Sequence, residues 1–387
     1  MTRPPYDAIV VGARPAGAAT AMLLARHGLD VLVLDREPAG RDTLSTHALM
    51  RGAVVQLERW GLLERLVAGG TPPVERVTFH YGDDVEAVDL RAGPLFAPRR
   101  TVLDPLLVAA AREAGADVRH GVHVEDVVRD PVSGRVVGVA VRPPRRTGRA
   151  ATILRARLVI GADGRASRIA RAVDAPVLHR GRTSTAVGYR YVADLPTEGY
   201  EWVYRPGHGA GLIPTDGGRT VVWAGTATRR FLHERGVGSA AWFDATLGAA
   251  SPEVADLLRW LPAGRLRIDA GHPSLVRRPW GPGWALVGDA GLYRDPVTSH
   301  GITDALRDAE LLADATAAVL LGDADPVEGF GGYEQERDTI AMPIVAETDA
   351  IAGFDWDLPT LRGHLMRLSD AMRVETAALQ QRTVQPA

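Results

Sequence analysis

Three glycine-marked turns, each with an acid or a base at a fixed offset, are the parts of this chain best suited to binding chemistry. The first is Gly12-Ala13-Arg14-Pro15-Ala16-Gly17. Against the spacing G-x-G-x-x-G, the outer glycines stand in place and the middle one is Arg14. The first glycine makes a tight turn, the last lets a helix pack closely on a strand, and amides at the helix start hold phosphate oxygens. Arginine in the middle gives up close backbone approach and puts a cation near the phosphates. Asp35 closes the next apolar run, where a carboxylate accepts hydrogen bonds from ribose hydroxyls, and Arg36 can lie along an adenine. The second turn is Ile160-Gly161-Ala162-Asp163-Gly164, followed by Ser167. The third is Val287-Gly288-Asp289-Ala290, followed by Asp295-Pro296 and Gly301-Ile302. A strand-end aspartate accepts hydrogen bonds from sugar-like hydroxyls, and a glycine pair lets a planar ring approach backbone amides.

Each turn needs a strand before it and a helix after it, and the apolar pattern supplies both. Tyr6 to Val11 is a β-type run, Ala16 to His27 is rich in Ala and Leu, and Val31 to Leu34 is a second buried strand. Strand, glycine turn, helix and strand within about 30 residues make a βαβ unit. Asp42 to Leu66 reads as a polar loop and then a helix striped by Val54, Leu57 and Trp60. A helix follows from Asp104 to Glu113, and strands from Val118 to Val128, Arg135 to Val141 and Ile153 to Ile160. Pro143 to Gly148 reads as a basic hairpin tip. From about Pro176 the texture changes to short alternating strands with turn residues between them, which predicts an antiparallel sheet. Phe231 to Leu261 is helical, Gly301 to Leu321 is a long helix, and Ile340 to Gln381 is mostly amphipathic helix.

Composition narrows the chemistry. The 387 residues carry 45 Lys+Arg against 47 Asp+Glu, a net charge of -2, and no cysteine. There is also no lysine and no asparagine, so every long-chain cation is arginine. Disulfides, thiol nucleophiles and thiolate metal sites are excluded. So are Schiff-base and P-loop lysines. A near-neutral, mixed-charge surface argues against bulk nucleic-acid binding. No apolar run approaches the roughly 20 residues of a membrane span. Neither a metal site nor an integral membrane association is expected, and the expected location is cytoplasmic.

The three turns, in this order and spacing, resemble the class A flavoprotein monooxygenase superfamily. It has the aromatic-hydroxylase fold and includes geranylgeranyl-reductase-like and flavin-halogenase-like relatives. The Gly-Ala-Arg turn and the loop Asp42 to His47 resemble a sub-branch of it. The resemblance covers about residues 5 to 340. It implies an α/β fold, with a Rossmann-like FAD-binding domain of the glutathione-reductase type. That domain comprises residues 1–75, 100–175 and 281–340. A substrate domain built on an antiparallel sheet comprises 76–99 and 176–280, with a helical tail at 341–387. The implied cofactor is FAD, with NAD(P)H as electron donor, directly or through a reductase.

By the same resemblance, Gly12 to Gly17 hold the pyrophosphate and Asp35 the ribose. Arg51 and Arg100 match two arginines of the flavin site, and Val124 a backbone contact to adenine. Asp163 falls near both FAD and NAD(P)H, and Gly288-Asp289 near the ribitol. Pro296, Gly301 and Ile302 fall over the isoalloxazine, where a helix N-terminus stabilises negative charge. His47, Tyr293 and His300 lie in loops placed near the flavin and are candidates for proton transfer. The substrate would lie between flavin and sheet, with Phe79, Tyr81, Tyr189, Tyr191, Trp202, Tyr204, Ile213 and Trp223 as candidate wall. Strand alternation assigns about half of a strand's side chains to the core.

The implied reaction is insertion of one oxygen atom from O2 into an aromatic or apolar small molecule, through a flavin C4a-hydroperoxide. The alternative is a flavin-dependent reductase or dehydrogenase of an alkene-containing, prenyl-like substrate. The missing lysine counts against halogenases, which carry an essential one on this fold. A compact monomer or homodimer is expected.

Overall fold

The computed structural model describes residues 4–142 and 151–382. The basic tip expected at Pro143 to Gly148 lies outside them. Among the described residues, the first strand, Tyr6–Val11, lies in an eight-stranded sheet. It pairs in parallel with Val31–Asp35 on one side and Thr152–Gly161 on the other. Trp284–Leu286 adds in parallel beyond the latter, and Asp117–His120 beyond the former. All three glycine turns therefore leave the same, carboxyl-terminal edge of one parallel sheet. That edge is where α/β folds bind ligands. Both faces of these strands are covered, which is why they read as unbroken apolar runs. The helix Pro15–Arg26 packs between the sheet and the helices Arg100–Glu113 and Gly301–Leu321.

A seven-stranded sheet forms the second layer, with Thr185–Ala193, Arg219–Ala227, His208–Thr215 and Tyr200–Arg205 side by side. The hairpin Arg76–Tyr81 and Asp84–Asp89 completes one edge. It pairs through a parallel register of Val77 with Tyr200 to Tyr81 with Tyr204. The rest of the sheet is antiparallel, as expected, with this one parallel pair where the earlier hairpin joins. One face carries Ala186, Leu212, Val222 and Ala224 against three short helices. These are Thr228–Glu234, Ser239–Ala250 and Pro252–Leu258. The single helix expected over this stretch is broken at Gly238, whose φ is 91°, and at Pro252.

The other face carries every aromatic of the expected wall: Phe79, Tyr81, Tyr189, Tyr191, Trp202, Tyr204 and Trp223. Alternation therefore does not divide them. Neighbouring segments do: the His47 loop takes Tyr191, while Tyr81 and Tyr204 meet the chain beyond the long helix, which forms helices Pro326–Ala352 and Leu358–Gln380. Residue 340 falls inside the first of these, so the tail is continuous with what precedes it. Trp356, between the two helices, packs on Tyr204 at 6.1 Å, and Arg362, in the first turns of the second, stacks over Tyr81 at 4.4 Å. No helix among the described residues is long and apolar enough to cross a membrane.

Candidate functional site

A cleft of about 640 Å³ opens where the parallel sheet's carboxyl edge faces the aromatic side of the second sheet. The first turn forms its floor, with Gly12, Arg14, Pro15 and Ala16 on the surface. Gly12 has φ of 109°, and a Cβ there would lie 2.3 Å from the Ala162 carbonyl oxygen. A Cβ on Gly17 would lie 1.9 Å from the Gly12 oxygen. Both glycines are thus demanded by backbone contact. Ala13 and Gly17 sit behind the surface and shape the turn. The Asp35 carboxylate accepts hydrogen bonds from the amides of Ala13 at 2.6 Å and Glu37 at 2.7 Å. It joins the ends of two strands and keeps further lone pairs for the cleft it lines. Arg36, Val124 and Arg100 complete this end.

The second motif works differently from a free carboxylate. Asp163 lines the cleft, yet it accepts from the Ser167 hydroxyl and from the Arg168 amide at 2.6 Å, capping the short helix that follows. In the third motif, Gly288 has φ of 57° and sits against Ala16, so this turn packs on the first one. Asp289 faces the cleft. Burial, then the nearby Asp304 charge, raises its pKa to about 6. Pro296, Gly301 and Ile302 line the same wall. No side chain caps the first turn of Gly301–Leu321, so its amides and the positive end of its dipole are free to face an anion.

A raised carboxylate pKa gives a signed expectation. The folded state holds Asp289 protonated at a pH where the unfolded chain has lost the proton, so apoprotein stability falls as pH rises from 3.8 to about 6. FAD affinity should run the other way, because the ionised form is the better acceptor for hydroxyls. Asp289→Asn should raise apoprotein thermal stability at pH 7 and weaken FAD binding about tenfold, roughly 1.4 kcal/mol. Flavin-fluorescence titrations at pH 5 and 7 check the pH trend.

Several expected residues lie elsewhere. Arg51 does not reach the cleft; its guanidinium donates to the carbonyls of Pro94, at 2.9 Å, and Gly93, lashing its helix to that turn. His300 is fully buried and bonded through Nε2 to Glu375 at 2.7 Å. His47 is likewise buried, in a left-handed backbone conformation with φ of 64°, and its Nε2 meets the Tyr191 hydroxyl at 2.7 Å. Burial, then the Arg100 charge, pushes its pKa down to about 3, so the ring is neutral. Of the three proton-transfer candidates, Tyr293 alone lines the cleft, under the Arg165 guanidinium at 5.1 Å. Tyr189, Ile213 and Trp223 form the wall. Tyr191, Trp202, Tyr204, Phe79 and Tyr81 do not line the cleft. They pack on His47, on Trp223 or beside the segment joining the tail helices.

The depressed His47 pKa carries its own prediction. The unfolded chain takes up a proton below about pH 6.5 that the folded chain refuses, so stability is lost as pH falls from there. By pH 5 the loss is about 2 kcal/mol. Asp289 contributes the opposite trend over this range, so the loss is read as the difference between wild type and His47→Gln in urea unfolding at pH 7 and 5.

Sequence reasoning also missed cleft residues. Thr43 to Thr46, Val187, Val221 and Asp269 all line it. Val187 and Val221 carried a signal: they stand two residues from Tyr189 and Trp223 on the same strands, hence on the same face.

A strand–turn–helix nucleotide site joined to an aromatic-walled sheet defines a dinucleotide-binding enzyme of the flavoprotein type. Comparison with known proteins agrees. The family described as "FAD binding domain" matches residues 5–348. Menaquinone reductase of Mycolicibacterium smegmatis is 30% identical over 342 residues, 80% of this chain and 75% of that protein. Aklavinone 12-hydroxylase of Streptomyces purpurascens is 28% identical over 383 residues, 89% and 68%. The structure of the flavin-dependent brominase Bmp2 superposes with a TM-score of 0.78 at 20% identity, covering 98% of this chain and 99% of that one. The chain belongs to the FAD-binding domain family of class A flavin monooxygenases, and it is an FAD-dependent oxidoreductase. The site fits that cofactor. Two glycine turns admit no Cβ, acids stand at the two sugar positions, and a helix start is free for the ring.

Proposed function

We propose that this enzyme is a monooxygenase that uses NAD(P)H and O2 to place one oxygen atom on an aromatic or apolar small molecule. The observation that carries the reading is the shared cleft, in which Tyr189, Ile213 and Trp223 face the nucleotide turn and Asp289. Gly12 to Gly17 and Asp35 hold the adenosine diphosphate half of FAD, while Asp289 and the Gly301–Ile302 amides hold the ribitol and ring. When bound, FAD supplies the redox and oxygen chemistry. The chain's own part is to bind, orient and keep water out. Trp223 lines the cleft with its indole N–H packed over Gly211, so its ring gives the substrate an apolar wall. Tyr293 is the hydroxyl placed to pass a proton, and Arg165 keeps a cation beside it. The protein acts in the cytoplasm as a monomer or homodimer.

The test is NAD(P)H oxidation by the FAD-loaded enzyme against a panel of aromatic metabolites. Trp223→Ala should lower kcat/KM at least tenfold on a responding compound and leave the flavin spectrum unchanged. Relatives named as reductases, menaquinone reductase among them, favour a second reading: reduction of an alkene-containing substrate in the same cleft.

A further inference from the structure

The middle position of the first turn is the place where this chain departs most from the glycine pattern, and the structure shows what stands around it. Arg14 is the N-cap residue of Pro15–Arg26 and lines both the cleft and a side groove of about 130 Å³. Arg100 is the first residue of Arg100–Glu113 and lines the cleft. One carboxylate serves both. Asp104 accepts from Arg100 Nε at 2.6 Å and Nη2 at 2.9 Å, and Arg14 Nη1 stands 3.5 Å from the same group.

Helix stability does not account for this arrangement. A cation at a helix's first residue opposes the helix dipole, and arginine placed four residues before an acid is the less favourable order of the pair. Arg100 and Asp104 are also buried. Burial, then the Arg100 charge, lowers the Arg14 pKa, so two guanidiniums crowd each other at two helix starts. Of the other acids near Arg14, Asp35 has an amide on each oxygen and Glu37 is paired with Arg36 and Arg41. An arrangement with two cations and two helix N-termini around one shared carboxylate is unfavourable until a dianion arrives.

We propose that Asp104 is the positioning residue of a two-arginine clamp, Arg14 with Arg100, that holds the FAD diphosphate in place of the backbone approach a middle glycine would give. The bidentate bond to Asp104 fixes the Arg100 fork, and the longer contact steers Arg14 over the turn. Arginine at position 14 is therefore a gain of binding, and restoring the glycine of the common pattern removes it. This rests on FAD as the cofactor and is independent of which reaction FAD performs.

The experiment is FAD titration of the apoprotein, followed by flavin fluorescence at several salt concentrations, with ADP as a competing diphosphate. Arg14→Gly should weaken FAD and ADP about tenfold or more, with a shallower salt dependence because one ionic contact is gone. Asp104→Asn should weaken both similarly, Asp104→Glu should recover most of the loss, and the Arg14→Gly, Asp104→Asn pair should add little beyond Arg14→Gly. Apoprotein melting should hold or rise in Arg14→Gly, which removes one of the two crowded guanidiniums. Equal or tighter FAD binding by Arg14→Gly overturns the clamp. So does weaker binding with an unchanged salt slope, which is the mark of a purely structural role. Should Asp104→Asn fail to fold, Arg14→Gly and Asp104→Glu decide alone.

Discussion

Gly12→Ala should bind FAD at least about 100-fold more weakly, a loss of roughly 2.7 kcal/mol or more. The added methyl would lie 2.3 Å from the Ala162 oxygen and 2.8 Å from its carbonyl carbon. Both are backbone atoms, so no side chain can swing aside. The residue would also hold φ near 109°, which alanine resists. Relief requires the strand end to move, and Ala162 is followed by Asp163. One methyl therefore disturbs two of the three motifs. Gly332→Ala is the matched control, because it lies in Pro326–Ala352 away from the cleft lining and a Cβ there meets nothing within 4 Å. It should change FAD affinity less than threefold. Reconstitution of each apoprotein, read by flavin absorbance, makes the comparison. Equal affinity for the two variants would show that the turn does not set the cleft.

Arg307→Leu should cost roughly 3–5 kcal/mol of stability, because it strands buried charges. Arg307 is fully buried in the long helix. It donates to Asp304 at 2.7 Å, to Glu375 at 2.8 Å and to Asp308 at 2.7 Å. Arg294 shares Asp304 at 2.6 Å, and His300 shares Glu375. Glu375 belongs to the C-terminal helix, so this network ties the tail to the residue just before Gly301. His300, Asp304 and Glu375 bring possible ligand atoms together, but the two guanidiniums already hold these carboxylates and would repel a cation. Urea unfolding measures the loss. FAD affinity should fall with it, since the helix start over the ring loses its anchor. Removing the charge pair together, as Arg307→Leu with Glu375→Leu, should restore part of the stability.

What the sequence disclosed was local. The glycine turns and the aspartates after them are fixed by backbone geometry within a few residues, and they were legible at once. So was the strand–helix order, because buried parallel strands are unbroken apolar runs. What stayed hidden depends on residues far apart in the chain. Arg51 looks like a phosphate ligand by position, but the Gly93–Pro94 turn captures its guanidinium. His300 sits in the right loop, but Glu375 turns it inward. The aromatic face was readable strand by strand. Which rings meet the cleft is decided by distant partners: the His47 loop takes Tyr191, and Trp356 and Arg362 take Tyr204 and Tyr81. The Arg14–Asp104 contact spans 90 positions, and only the four-residue spacing of Arg100 and Asp104 hinted at it.

Delivery of oxygen to a substrate in this cleft can be followed by turning over the FAD-loaded enzyme with NAD(P)H and a responding compound under labelled O2. Consumption of O2 with product, and one labelled oxygen atom in that product, is the result expected. A product that has gained two hydrogens, formed equally well without O2, would contradict oxygen delivery and make the enzyme a reductase.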